Sequence, residues 1–121
     1  MSAHIIIIDD DRNIRLLYEH ELSCEGYQVA TASSAAEAIE KASAEPFNLA
    51  ILDIEMPDMS GLELLGKLRE LRPNMPVILN SAYSTYKSDF KSWLADAYVV
   101  KSSDIEPLKQ TVKEMLSNYG S

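Results

Sequence analysis

Acidic residues gather where the chain leaves its apolar runs. Asp9, Asp10 and Asp11 follow HIIII, and Asp53 follows NLAIL just ahead of a Met-Pro and a Gly. PVIL runs into Asn80 and Ser81, and AYVV runs into Lys101. Two unit charges about 4 Å apart repel by roughly 4 kcal/mol at an effective dielectric near 20. Converging carboxylates therefore need a cation. Mg²⁺ suits them, because it takes oxygen ligands and keeps several waters, and Mn²⁺ is an admissible substitute. A carboxylate beside such an ion can attack a phosphoryl group and form an aspartyl phosphate. The metal and Lys101 would then neutralise charge on the transferring oxygens, with the Ser81 hydroxyl donating to one of them.

Each of these residues has a plainer role when taken alone. Asp11 is placed to cap a helix, and one cap oxygen suffices, so capping does not account for the whole triplet. Asp53 could cap the segment that follows it. Ser81 could be a turn hydroxyl, and Lys101 a solvated edge lysine. Their joint position at four strand ends favours the common site. His4 and His20 lack metal-ligand spacing. Cys24 reads as a small residue packed near the end of the first helix, with no His or cationic neighbour evident.

The elements that must carry these residues alternate between two periods. HIIII, YQVATA, NLAIL, PVILN and AYVVK read as strands. Helices lie between and after them. The first places Ile14, Leu17, Tyr18 and Leu22 inward and stops at Gly26. The second carries Ala38, Ile39 and Ala42, and the third, SGLELLGKLRELR, ends at Pro73. The fourth, STYKSDFKSWL, is read from Tyr86, Phe90, Trp93 and Leu94. The fifth carries Ile105, Leu108, Val112, Met115, Leu116 and Tyr119. Five strand-helix units predict an α/β fold, a parallel sheet covered on both faces. IIII, LAIL and VIL are continuous apolar runs, whereas YQVATA and AYVV mix small and polar residues as edge strands do. Strand order 2-1-3-4-5 satisfies this with right-handed crossovers. In such a doubly wound sheet, ligands bind beyond the carboxyl ends of the strands, where the winding reverses.

At 121 residues the chain is one domain, long enough to bury a core without staples. Its lone cysteine rules out an internal disulfide and fits a reducing, cytoplasmic setting. The MSAHIIII start is too short and too weakly basic for a membrane span or leader. A net charge of −8 repels nucleic acid and anionic lipid, and suits a cation site.

The segments IIIIDDDRNIR, LDIEMPDMSGLELL, VILNSAY and AYVVKS together resemble the receiver domain of bacterial two-component response regulators. The resemblance covers nearly the whole chain and implies one receiver domain, 1–121, with a flavodoxin-like fold. It makes Asp53 the phosphoacceptor. Asp10 becomes a direct Mg²⁺ ligand beside Asp53, Asp9 a ligand through water, and the backbone carbonyl of Glu55 the last protein ligand. Ser81 is the switch hydroxyl, Tyr98 the aromatic switch and Lys101 the phosphate-contacting lysine. Glu55 and Tyr83 occupy positions that tune phosphoryl lifetime. The implied partners are a sensor histidine kinase or phosphotransfer protein, small phosphodonors, and a downstream protein or effector domain. A phosphorylation-dependent homodimer is compatible with it. The implied function is a signalling switch, catalysing only its own phosphoryl transfer and autodephosphorylation. Phosphorylated Asp53 draws Ser81 inward, Tyr98 follows, and the surface of the fourth helix, fifth strand and fifth helix is remodelled as a population shift.

The sequence departs from the family pattern after the lysine, where Ser102 replaces the usual proline that often follows a cis peptide. A cis bond before a non-proline residue costs roughly 2.5–4 kcal/mol. Either a trans bond with a shifted loop or a strained cis bond is expected. Asp104 is the expected cap of the last helix, in preference to Ser103 paired with Glu106, because it leaves Pro107 where no helical bond is lost. Pro57 sets the turn after Asp53, and Gly61 relieves crowding at the next helix. One rival is a haloacid dehalogenase-like Mg²⁺-dependent phosphatase, with Asp9 and Asp11 as its Asp-x-Asp. Against it, Asn13 stands where Thr is usual, and no fourth acidic motif follows Lys101. The other rival is a degenerate receiver acting only as an interaction module.

Overall fold

Isoleucine and leucine runs set the centre of the molecule. In the computed structural model, described for residues 2–56, 58–82 and 95–119 (backbone alone at 62, 118 and 119), five parallel strands form one sheet. β1 is His4–Ile8, β2 Gln28–Ala32, β3 Leu49–Asp53, β4 Val77–Ser81 and β5 Ala97–Val100. The order is β2-β1-β3-β4-β5, as the edge and centre compositions predict. β3 and β4 are buried at every position, and β1 at all but His4. β2 and β5 are only partly covered, so small and polar residues cost little there.

Four helices are described: α1 Arg12–Cys24, α2 Ala35–Ala44, α3 Gly61–Leu71 and α4 Glu106–Tyr119. The expected helix over 84–94, with Tyr86, Phe90, Trp93 and Leu94, lies outside the described residues, as do Pro57 and Tyr83. The strand period of two splits the core into two layers. Ile6, Ile8, Leu52 and Leu79 pack against α2 and α3 through Ala35, Ala38, Ala42, Leu64, Leu65 and Leu68. Ile5, Ile7, Ile51, Ile78 and Val99 pack against α1 and α4 through Tyr18, Leu22, Leu108 and Val112.

Local chemistry sets the helix ends. Asp11 accepts from the N–H groups of Asn13 and Ile14 at the start of α1. Ser34 and Ser60 cap α2 and α3 through Glu37 N and Glu63 N. α4 begins at Glu106, so Ile105, whose carbonyl accepts from Lys109 N, holds the position expected of Asp104; Asp104 lies one residue earlier and accepts from Glu106 N at 3.0 Å. Gly26 takes φ 95° after α1, where other residues are strained. A Cβ on Gly61 would meet Ile54 Cα at 2.8 Å, so the close approach of α3 to β3 demands glycine.

Two expectations are corrected. Leu17 is 41% exposed, because the inward stripe of α1 runs through Ile14, Tyr18 and Leu22 at spacings of four, and Leu17 falls beside it. Cys24 is exposed rather than packed, and its Sγ lies 3.9 Å from Nε2 of His20, one helical turn earlier.

Candidate functional site

Alternation along the strands aims one row of polar side chains off the top of the α1–α4 face. Ile7 precedes Asp9, Ile51 precedes Asp53, Ile78 precedes Asn80 and Val99 precedes Lys101, each by two residues. The register pairs Ile8 with Leu52, Asp53 with Asn80, and Asn80 with Val99. The row thus crosses β1, β3 and β4 at one level, with Lys101 on the same face of β5 two residues beyond it, beside the crevice where the winding reverses.

Asp9 is 2% exposed and Asp53 5% exposed, while Asp10 is exposed at the mouth. Carboxylate oxygens of all three lie within 4.8 Å of one another, the one such cluster among the described residues. Lys101 Nζ lies 2.8 Å from Asp9 Oδ2 and 3.5 Å from Asp53 Oδ1. Asp53 Oδ1 also accepts from Glu55 N at 3.1 Å, and Asp9 Oδ1 from Asp11 N at 2.9 Å. Arg15 Nη1 donates to the Asp9 carbonyl at 2.8 Å, fixing the bend after β1.

Burial, and after it the charge of Asp9, pushes the Asp53 carboxyl up from 3.8 to about 6, against the opposing Glu55 N–H and Lys101. Burial works against a charged Lys101, yet its bond to Asp9 and the charge of Asp53 hold it above the ordinary lysine value. One ammonium thus stands against three carboxylates. An all-oxygen donor set with surplus negative charge fits Mg²⁺.

The peptide bond at Lys101–Ser102 is trans, since no cis bond occurs among the described residues. Lys101 still reaches both aspartates, and its backbone N–H donates to the Ser81 carbonyl at 2.6 Å. The Ser102 hydroxyl instead accepts from Asp104 N at 3.1 Å and shapes the turn into α4. Ser81 is buried at the last position of β4, and Tyr98 packs partly buried against the α2–α3 layer. Tyr98 therefore belongs to the face opposite Asp53, and strand alternation gives Ser81 the parity of Leu79 in that layer. Glu55 is exposed and forms an isolated antiparallel bridge to Ser60 that closes the loop after β3.

Two residues escaped the sequence reading. Asp58 accepts from Ala35 N and Ala36 N at 3.0–3.3 Å, joining the loop after Asp53 to the start of α2. Asn80 takes a hydrogen bond from the Tyr18 hydroxyl and gives one to the Val99 carbonyl, both 2.8 Å. A polar residue ending an apolar strand was the one available signal for Asn80. Nothing in the spacing shows that Asp58 reaches back 23 positions.

Residues 5–113 match the response regulator receiver domain family. The transcriptional regulatory protein ZraR of Klebsiella oxytoca is 31% identical over 119 residues, 97% of this chain and 27% of that protein. The response regulator ArlR of Staphylococcus aureus is 33% identical over 115 residues, 94% of this chain and 52% of that protein. The chain thus spans between about a quarter and about half the length of these curated relatives. Among solved structures, the response regulator TrrA of Thermotoga maritima in complex with Mg²⁺-BeF is 46% identical, with a TM-score of 0.88. That match covers 96% of this chain and 100% of TrrA. TrrA in complex with the histidine kinase ThkA superposes with a TM-score of 0.86, over 96% and 99% of the two chains. With the match spanning most of its length, this chain belongs to the response regulator receiver domains.

Proposed function

We propose that Asp53 accepts a phosphoryl group from the phosphohistidine of a sensor histidine kinase or phosphotransfer protein, or from a small acyl phosphate. A carboxylate oxygen of Asp53 forms a bond to phosphorus as the phosphorus–nitrogen bond breaks, and the departing imidazole takes up a proton. One observation carries this reading: a buried carboxylate at the end of a central strand, with an ammonium 3.5 Å away and two further carboxylates beside it. The complexes of TrrA with Mg²⁺-BeF and with a histidine kinase support it.

Asp10, Asp53 and the Glu55 carbonyl would hold Mg²⁺, or Mn²⁺ in its place, with Asp9 joined through water. When bound, the ion supplies charge neutralisation to the reacting oxygens. Asp53 must be ionised to attack, and its raised pKa of about 6 leaves it so at neutral pH. Lys101 bridges Asp9 and Asp53, offsetting their mutual repulsion, and offers its ammonium to a phosphoryl oxygen. Ser81, its hydroxyl drawn to a phosphoryl oxygen, and Tyr98, which follows it, read the modified site, and Glu55 and Tyr83 tune the lifetime. The chain acts as a cytoplasmic switch over its whole length, 1–121, with no turnover beyond its own phosphorylation and dephosphorylation. It passes the signal to a protein or effector domain, or to a second phosphorylated copy, and does not itself bind nucleic acid or membrane.

Mass spectrometry after acetyl phosphate and Mg²⁺ tests the assignment. Wild type is expected to gain one phosphoryl group, and Asp53→Asn none. A beryllofluoride adduct on Asp9 instead of Asp53 would revive the phosphatase alternative, and an unlabelled wild type the degenerate receiver.

A further inference from the structure

We infer that Tyr18 and Asn80 are positioning residues for this transfer: the Asn80 carboxamide, held by the Tyr18 hydroxyl, anchors the end of β5 so that Lys101 reaches Asp53. The inference rests on the reading of Asp53 as phosphoacceptor.

Four buried polar side chains are found among the described residues: Asp9, Asp53, Asn80 and Ser81. Asn80 is the one left without a task in the transfer. It follows Val77, Ile78 and Leu79 in β4, where another apolar residue would pack without needing partners. Its partners are instead supplied from two other elements. The Tyr18 hydroxyl, from α1, donates to Oδ1, and Nδ2 donates to the Val99 carbonyl on β5. Both bonds are buried, with Tyr18 4% and Asn80 1% exposed, so water does not compete for them. The amide has one acceptor end and one donor end, and each is used, which fixes its orientation.

The register makes Asn80 the partner of Asp53 on one side and of Val99 on the other. Val99 precedes Lys101 by two residues, so its side chain and that of Lys101 leave the same face. β5 is a four-residue edge strand, and Ser102 brings no ring to stiffen its exit. The bonds from Asn80 Nδ2 to Val99 and from Lys101 N to Ser81 together fix where the lysine begins. The phenol is near enough to feel the site. Burial raises its pKa, and the charge of Lys101 is the chief opposing influence, with Asp9 and Asp53 also acting on it.

The ion and the lysine meet different parts of the site, which separates positioning from general damage. Tyr18→Phe keeps the ring in the core and removes only the bond to Asn80. It is expected to slow phosphorylation by acetyl phosphate, and to weaken beryllofluoride binding in Mg²⁺, by about five- to tenfold. Mg²⁺ affinity should stay within about twofold, because the carboxylates are untouched. In a Lys101→Ala background the same change should cost nothing further. Asn80→Leu should follow the same pattern, and Tyr18→Phe keeps the test decisive where that variant does not fold. Wild-type rates in Tyr18→Phe overturn the inference. So does an equal loss of Mg²⁺ and beryllofluoride affinity, which marks a merely structural role. A wild type that takes no label on Asp53 overturns the underlying reading, and the inference with it.

Discussion

The two faces of the sheet differ in the side chains they bring to the carboxyl ends of the strands. On the α1–α4 face, the row Asp9, Asp53, Asn80 and Lys101 holds charge and hydrogen bonds. On the α2–α3 face, Tyr98 packs against an aliphatic layer, and the buried Ser81 follows Asn80 with the opposite strand parity. The faces are joined through single peptides, because Asn80 is followed by Ser81 and Tyr98 by Val99. A shift of β4 or β5 that reorganises one face must therefore move the other. On the proposed assignment, chemistry and readout would be kept apart by side-chain alternation, with no intervening element.

That division predicts opposite losses from opposite faces. Lys101→Ala should slow acetyl phosphate labelling of Asp53 by about 10²-fold, the usual cost of removing one preorganised charge partner. Its Mg²⁺ affinity should hold or rise, since a competing cation is gone. Ser81→Ala should still be labelled within severalfold of the wild-type rate. Its Tyr98 ring resonances, however, should no longer shift when beryllofluoride binds. A Ser81→Ala protein with the full Tyr98 response would break the assignment of readout to that face.

Stability should also differ between the faces. Asp53 binds its proton more tightly folded than unfolded, with a pKa raised from 3.8 to about 6. A raised acid contributes stability that is complete below about 3.8 and is lost as pH rises through about 6. At 1.36 kcal/mol per unit, discounted for solvent screening, ionised Asp53 costs about 2 kcal/mol. Asp53→Asn should therefore be more stable than wild type by about that amount at pH 8, and close to it at pH 4. Mg²⁺ should close the gap at pH 8 or slightly reverse it, because a hundredfold excess over Kd stabilises wild type by about 2.7 kcal/mol. Urea midpoints at the two pH values decide it, and a gap independent of pH contradicts the burial argument. No such dependence is expected of Ser81→Ala, because a hydroxyl does not titrate there.

Sheet order was legible because burial on both faces forces continuous aliphatic runs, and β1, β3 and β4 have them while β2 and β5 do not. The cluster of Asp9, Asp10 and Asp53 was legible for a related reason: a charge ending such a run is costly without a purpose. Leu17 and Cys24 were misread because a leucine on a helix flank and a cysteine in a last turn carry little information about burial. The bonds of Tyr18 to Asn80 and of Asp58 to α2 were invisible, since they join residues 62 and 23 positions apart through three-dimensional placement. The trans bond at Lys101–Ser102 left the lysine in reach, with β5 tied to β4 by the Lys101 N–H bond to Ser81 and the Asn80 side-chain bond to Val99 instead of by the residue after the lysine.

Asp58 gives the finest division between the faces. It lies in the loop that leaves Asp53, yet its carboxylate ends on the N–H groups of Ala35 and Ala36, in the layer packed against the opposite face. Ser34 already caps α2 through Glu37, so Asp58→Ala should cost only about 1 kcal/mol in urea unfolding. Its larger effect should fall on the loop, where Glu55 is otherwise held by its N–H bond to Asp53 and its bridge to Ser60. Freeing one anchor of three should lower Mg²⁺ affinity by about two- to threefold in calorimetry, with the Tyr98 response to beryllofluoride retained. Asp58→Asn keeps one acceptor oxygen and should recover part of both losses. If Mg²⁺ affinity is unchanged while stability falls, the loop is held from the Asp53 side alone, and the bond to α2 serves only the helix.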